Sequence, residues 1–180
     1  GTAISIKGQA VCLQCDAGKF SNSTGLDQCL SCPLGKISVK EEGLGATDCT
    51  GCEPGKYINS VGQQLCLMCD MGTYTNETGS SSCLSCPAGK YVDFPGAQEC
   101  NLCEPGKYSV AGAFACAPCP SGTFASGSGT QTCTSCPIGR HMNATGATEC
   151  TPCEAGKFMG DTGAIMCSSC PRGTSANTTG

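Results

Sequence analysis

Large apolar residues are sparse along this chain, and the aromatic ones recur in phase with cysteine. Five residues after the second cysteine of each Cys-x-x-Cys pair stand Phe20, Ile37, Tyr57, Tyr74, Tyr91, Tyr108, Phe124, His141, Phe158 and Ser175. Seven of these ten positions hold Tyr or Phe. An aromatic-led segment bounded by turn residues predicts a strand of a few residues. Apolar positions show no 3.6-residue period, so no helix is predicted. Each unit reads as a turn, a short strand, a loop and a return to the next cysteine pair.

Glycine marks the same frame. One glycine lies three residues after the second cysteine of every pair, from Gly18 to Gly173, and another lies four residues before the next pair, from Gly25 to Gly163. In Glu53-Pro54-Gly55-Lys56 the central Pro and Gly predict a type II turn. In Cys86-Pro87-Ala88-Gly89, Pro in second place and Gly in fourth predict type I.

The cysteine pairs begin at Cys12, Cys29, Cys49, Cys66, Cys83, Cys100, Cys116, Cys133, Cys150 and Cys167, at steps of 16 to 20 residues. Self-similarity of this kind marks a repeat architecture. We divide the chain into a tail of a preceding repeat (1–11), ten tandem repeat starts (12–170) and a truncated last repeat (171–180). Gly8 and Gly180 hold the phase at either end, so the array reads as part of a longer one. Three kinds of repeat alternate with a super-period of 50 to 54 residues. One reading is duplication of a three-repeat block; the other is a superhelix that turns once in about three repeats.

Composition explains why such an array needs cysteine. Leu, Ile, Val and Phe supply 25 of 180 residues, below the ~20% at which a compact core becomes doubtful. Burial alone would not offset the chain entropy. The 20 cysteines place the chain among disulfide scaffolds of oxidising compartments. The net charge is -4 and the basic residues are scattered, which excludes a phosphate-binding surface and hence nucleic acid as a partner. No apolar run reaches the ~20 residues of a membrane span. No signal peptide opens the chain, so a secreted protein is expected to have lost it or the chain to be an internal fragment.

Three chemistries fit paired cysteines. Zinc fits two Cys-x-x-Cys pairs 13 residues apart, but a two-pair module conflicts with a super-period of three. Thioredoxin-type redox catalysis needs the motif at a helix start in an α/β fold, and no helix is predicted. Structural disulfides remain, in two connectivities. Like cysteines of neighbouring pairs could bond, as Cys12–Cys29 with Cys15–Cys32, which groups repeats in twos. Or the second cysteine of each pair could bond the first of the next, which leaves all repeats equivalent. Spacing does not fix the choice.

Cys-Pro-x-Gly-x-Tyr/Phe, a further Gly and then Cys-x-x-Cys resembles the ephrin-receptor-like (GCC2/GCC3) cysteine-rich repeat. It is also similar to the first loop module of tumour-necrosis-factor-receptor cysteine-rich domains. The resemblance covers nearly the whole chain. It implies a small disulfide-rich fold, an elongated solenoid of ~17-residue units with little secondary structure. It implies the pairs Cys15–Cys29, Cys32–Cys49, Cys52–Cys66, Cys69–Cys83, Cys86–Cys100, Cys103–Cys116, Cys119–Cys133, Cys136–Cys150 and Cys153–Cys167. Cys12 and Cys170 would then pair outside this segment. Each closed loop would contribute roughly 3 kcal/mol in the chain-entropy model. Receptor modules carry further cysteines that this chain lacks, which sets it apart from receptor-type ligand binding.

Other residues recur in phase. His141 is the only histidine; it fills the aromatic slot and reads as scaffold, with no catalytic set around it. Acids follow the second cysteine at Asp16, Glu53, Asp70, Glu104 and Glu154, without the Asp-x-Asp-x-Asp-Gly run of a calcium loop. Lys19, Lys36, Lys56, Lys90, Lys107, Arg140 and Lys157 flank the turns and are expected to form weak surface pairs. Asn22, Asn76, Asn143 and Asn177 each open Asn-x-Thr-Gly, the acceptor pattern for N-glycosylation on an exposed loop.

These readings converge on a non-catalytic extracellular or cell-surface segment without cofactor or metal: a stalk, spacer or filament component. Its expected partners are N-linked glycans and other protein chains, including copies of itself in a filament or surface layer. The alternative is a ligand-binding or adhesion ectodomain of a receptor or surface antigen. The third kind of repeat carries no sequon, so Glu53, Tyr57, Glu104 and Tyr108 form the candidate partner face. The one notable break in uniformity is the longer loop at Lys40-Glu41-Glu42-Gly43.

Overall fold

The computed structural model describes residues 2–3, 12–39 and 45–177. Gly8, Gly180 and the Lys40–Gly43 break lie outside the described residues. The chain divides into two compact halves, Gly1–Leu84 with Phe94–Glu99, and Ser85–Asp93 with Cys100–Gly180. Each half is built from the same repeat.

The repeat is a small antiparallel hairpin. Among the described residues there are twenty strands, all two residues long, and no helix. In the first half Lys19–Phe20 pairs Leu30–Ser31, and Lys56–Tyr57 pairs Leu67–Met68. In the second half Lys90–Tyr91 pairs Asn101–Leu102, and Lys107–Tyr108 pairs Ala117–Pro118. The first strand is the aromatic-led segment. The second is the pair of residues between the cysteines, so Cys-x-x-Cys is itself a strand with a cysteine at each end.

The turn that starts each hairpin is set by glycine. Lys56 N–H donates to the Glu53 carbonyl at 3.0 Å, and Gly55 between them has φ +84°. This is the predicted type II arrangement. The Pro87 turn corrects the sequence reading. Lys90 N–H donates to the Pro87 carbonyl at 3.0 Å, and Gly89 has φ +84°. The turn is therefore Pro87–Lys90 with glycine in third place, also type II. Type I places no residue at positive φ, so the register moves one residue and puts Gly89 where only glycine is unstrained.

A disulfide and a backbone bond then close each repeat. Nine bonds link Cys15–Cys29, Cys32–Cys49, Cys52–Cys66, Cys69–Cys83, Cys86–Cys100, Cys103–Cys116, Cys119–Cys133, Cys136–Cys150 and Cys153–Cys167. Beside them Cys69 N–H donates to the Gly55 carbonyl, and Cys119 N–H to that of Gly106, both at 2.9 Å. The cysteine at the turn is the buried end: Cys15, Cys32, Cys69, Cys86, Cys103, Cys119 and Cys136 have no exposure. Sulfur thus occupies the interior that a larger domain fills with Leu and Phe.

Neighbouring repeats are joined by backbone hydrogen bonds of one pattern. In the first half Gly55 N–H donates to the Thr75 carbonyl (2.8 Å), Ile58 N–H to that of Ser80 (3.1 Å) and Gly79 N–H to that of Cys52 (2.7 Å). In the second, the equivalent donors are Gly106 to Ala125 (2.8 Å), Ala125 to Ala147 (3.0 Å) and Gly146 to Cys119 (2.7 Å). Only backbone atoms are used, so the pattern tolerates any side chain that leaves the turn intact.

The core slot is not the aromatic but the residue after it. Ser21, Ser38, Ile58, Thr75, Val92, Ser109 and Ala125 are all buried, while Tyr57, Tyr74, Tyr91 and Tyr108 are half-buried. The slot is enclosed because its backbone is tied into the neighbouring repeat. The hydroxyls there have partners: Ser38 Oγ donates to the Lys19 carbonyl at 2.8 Å, and Ser109 Oγ to that of Lys90 at 2.9 Å.

Repeats also touch their second neighbours, which the sequence reading did not foresee. A Cβ on Gly55 would collide with the carbonyl oxygen of Gly96, and one on Gly106 with that of Gly146. The same holds for Gly18 with Gly62 and for Gly122 with Gly163. At these places glycine is required twice over, by positive φ and by the approach of another backbone.

Candidate functional site

Within the second half, two shallow grooves form at equivalent places in the super-period. One, of about 320 Å³, is lined by Tyr91, Asp93, Glu104, Lys107, Phe114 and the Cys116 end of a disulfide. The other, of about 250 Å³, is lined by His141, Thr151, Pro152, Glu154, Lys157, Met166 and Cys167. Each sets the aromatic-slot residue of one repeat against the turn and disulfide of the next. Asp93, Phe114 and Met166 were not singled out from sequence. Phe114 and Met166 sit just before a cysteine pair, and 62% and 64% exposure of large apolar side chains is the signal that marks them.

The turn of the third kind of repeat carries an ion pair across its ends. Lys56 Nζ lies 2.9 Å from Glu53 Oε2, Lys107 2.9 Å from Glu104 and Lys157 2.8 Å from Glu154. Type II geometry brings the first and fourth residues together, so a Glu and a Lys there meet without further help. The hydrogen bond from lysine, and then its charge, hold the Glu53 and Glu154 carboxyls below the usual glutamate range. The hydrogen bond to Glu104 likewise raises the Lys107 ammonium. All three pairs face water and are screened by salt.

The candidate partner face is therefore Glu53 and Glu104, exposed and ion-paired, beside the half-buried Tyr57 and Tyr108. His141 lies over a disulfide, with Nδ1 3.2 Å from Cys167 Sγ. His141, Cys153 and Cys167 bring three donor atoms within 4.8 Å of one another. Both sulfurs belong to the Cys153–Cys167 bond, and metals take thiolate, not disulfide. Cys12 and Cys170, exposed and half-buried respectively, have no disulfide partner among the described residues. Asn22, Asn76, Asn143 and Asn177 are all exposed.

Among the described residues, no helix is long and apolar enough to cross a membrane. A search of curated proteins found no match. The family model described as "Tyrosine-protein kinase ephrin type A/B receptor-like" matches five times, over residues 1–49, 41–82, 55–103, 106–149 and 142–180. With nine disulfides in phase, the matches mark a cysteine-rich domain of extracellular type. Because they span the chain from end to end, the protein belongs to the ephrin type A/B receptor-like family of cysteine-rich repeats.

Proposed function

We propose that this segment is a non-catalytic extracellular spacer, a stalk or filament component that holds other parts of an assembly apart. The observation that carries this reading is the uniform backbone bonding between consecutive repeats, as in Gly35 N–H to Ile58 O and Gly55 N–H to Thr75 O, at 3.0 and 2.8 Å. Bonding of this kind makes each repeat a template for the next and makes length a matter of repeat number. Glu53, Tyr57, Glu104 and Tyr108 would be the recurring contact for other chains, copies of this one included, because they repeat once per super-period.

The second reading is a ligand-binding or adhesion ectodomain. The grooves over Tyr91 and His141 favour it, since each presents an exposed apolar side chain beside charged ones. Electron microscopy of the full chain, beside a variant lacking residues 52–102, separates the two. The deletion removes one super-period and joins Gly51 to Cys103 in phase. A spacer shortens by one constant step and keeps all remaining disulfides. Particles whose length does not change with repeat number would overturn the spacer.

A further inference from the structure

Three of the four Asn-x-Thr triplets begin at the sequence midpoint of a disulfide-closed loop. Cys15–Cys29, Cys69–Cys83 and Cys136–Cys150 each join residues 14 apart. Asn22, Asn76 and Asn143 stand at the midpoints. Asparagine, middle residue and threonine are exposed in all three triplets, Asn22-Ser23-Thr24, Asn76-Glu77-Thr78 and Asn143-Ala144-Thr145.

The chain on either side is held. Before Asn76, Thr75 is buried and its N–H donates to the Ala97 carbonyl at 3.2 Å. After Thr78, Gly79 has φ +74° and its N–H donates to the Cys52 carbonyl at 2.7 Å. Met142 and Gly146 frame the third triplet in the same way, through Met142 N–H to Ala164 O (3.0 Å) and Gly146 N–H to Cys119 O (2.7 Å). The Asn76 and Asn143 triplets are thus exposed stretches with both ends fixed, and Ser21 N–H to Ala46 O at 3.0 Å holds the chain before Asn22. By chance, six asparagines and a Ser/Thr fraction of one fifth would give about one sequon in this chain.

We propose that Asn22, Asn76, Asn143 and, by its register in the sequence, Asn177 are N-glycosylated, which places a glycan on the loop tip of the three repeats that hold Asn22, Asn76 and Asn143. The donor is a lipid-pyrophosphate-linked oligosaccharide. The asparagine Nδ2 bonds to C1 of the reducing-end sugar as the C1–O bond to pyrophosphate breaks. The lipid pyrophosphate leaves with that electron pair, and one amide proton passes to the transferring enzyme. No electrons are gained or lost overall. The inference holds whether the array is a spacer or a binding ectodomain.

The chain contains its own control. Asn59 occupies the same midpoint, between Cys52 and Cys66, and is exposed, but Val61 stands where the triplet needs Thr. Val61 is 61% exposed, so Val61→Thr disturbs no packing. The full chain, translated behind a secretion signal into microsomes, should show four mobility steps. All four should disappear with peptide-N-glycosidase F, with Asp found at the four positions by mass spectrometry. Asn76→Gln and Thr78→Ala should each lose the same one step. Val61→Thr should gain one, at Asn59. Unmodified Asn22, Asn76 and Asn143 in the translocated chain would overturn the proposal, and so would a Val61→Thr chain that gains no step.

Discussion

Gly106 and Gly146 lie two repeats apart and are in backbone contact: the Cβ that Gly106 lacks would strike the Gly146 carbonyl oxygen. Gly112 in the same repeat also has a positive φ, +75° against +81° for Gly106, but the nearest atom to its missing Cβ is Ser85 Oγ at 3.8 Å, an ordinary contact. The two glycines separate backbone strain from close approach. Alanine at either should cost about 1–3 kcal/mol for the forced positive φ. Gly106→Ala should cost about 1–3 kcal/mol more, because one backbone must move off another. Thermal unfolding of the oxidised variants checks this. Equal losses at the two sites would show that the second-neighbour contact carries no energy.

The buried slot gives a second comparison. Ile58 is 1% exposed, whereas Leu65 in the same repeat is 78% exposed. Ile58→Ala should lower stability by about 2–4 kcal/mol. Leu65→Ala should stay within about 0.5 kcal/mol. Hydrogen exchange should localise the Ile58 effect to its own repeat, its neighbours and its second neighbours. Loss of protection throughout the half would mean that the repeats unfold as one core.

These two comparisons mark where the sequence was legible. Cysteine and glycine act through geometry that a one-dimensional spacing carries, so the repeat, the strand that follows each turn and the type II turn at Gly55 could be read directly. The buried slot could not. Its occupants Ser38, Ile58, Thr75, Val92 and Ala125 share no hydropathy, because the site is enclosed by backbone bonding to the next repeat and not by apolar attraction. The aromatic before it, which recurs more plainly in the sequence, is only half-buried. Pro87 misled the turn assignment by one residue, since proline suits the second place of both turn types and only the φ of Gly89 decides. The Gly55–Gly96 contact spans 41 residues, and nothing in either glycine's local sequence reports its partner.

The ion-paired turns predict a small dependence on pH. The folded-state carboxyls of Glu53 and Glu154 lie below their ordinary value of 4.5. Their stabilisation is therefore fully present above that ordinary value. It is lost as pH falls through the lowered folded-state values, where the carboxylates take up protons. Lys56→Gln should move the Glu53 midpoint up towards 4.5, read by NMR titration of its side-chain carboxyl. High salt should produce part of the same shift in the unmodified chain. A midpoint that does not respond to Lys56→Gln would assign the depression to something other than this pair.

The aromatic slot should protect the disulfide of the following repeat. His141 Nδ1 lies 3.2 Å from Cys167 Sγ, and Tyr91 shares a groove with Cys116. The cysteine at that end of each bond is only half-buried, whereas its partner at the turn, Cys103 or Cys153, is buried. A thiolate must therefore approach from the half-buried end, through the groove that the ring lines. Tyr91→Ser should speed reduction of Cys103–Cys116 severalfold and leave Cys119–Cys133 unchanged. Timed reduction with a dilute dithiol, followed by alkylation and peptide mapping, measures each bond separately. If Tyr91→Ser accelerates Cys103–Cys116 and Cys119–Cys133 alike, the residue supports the half as a whole and does not shield one bond.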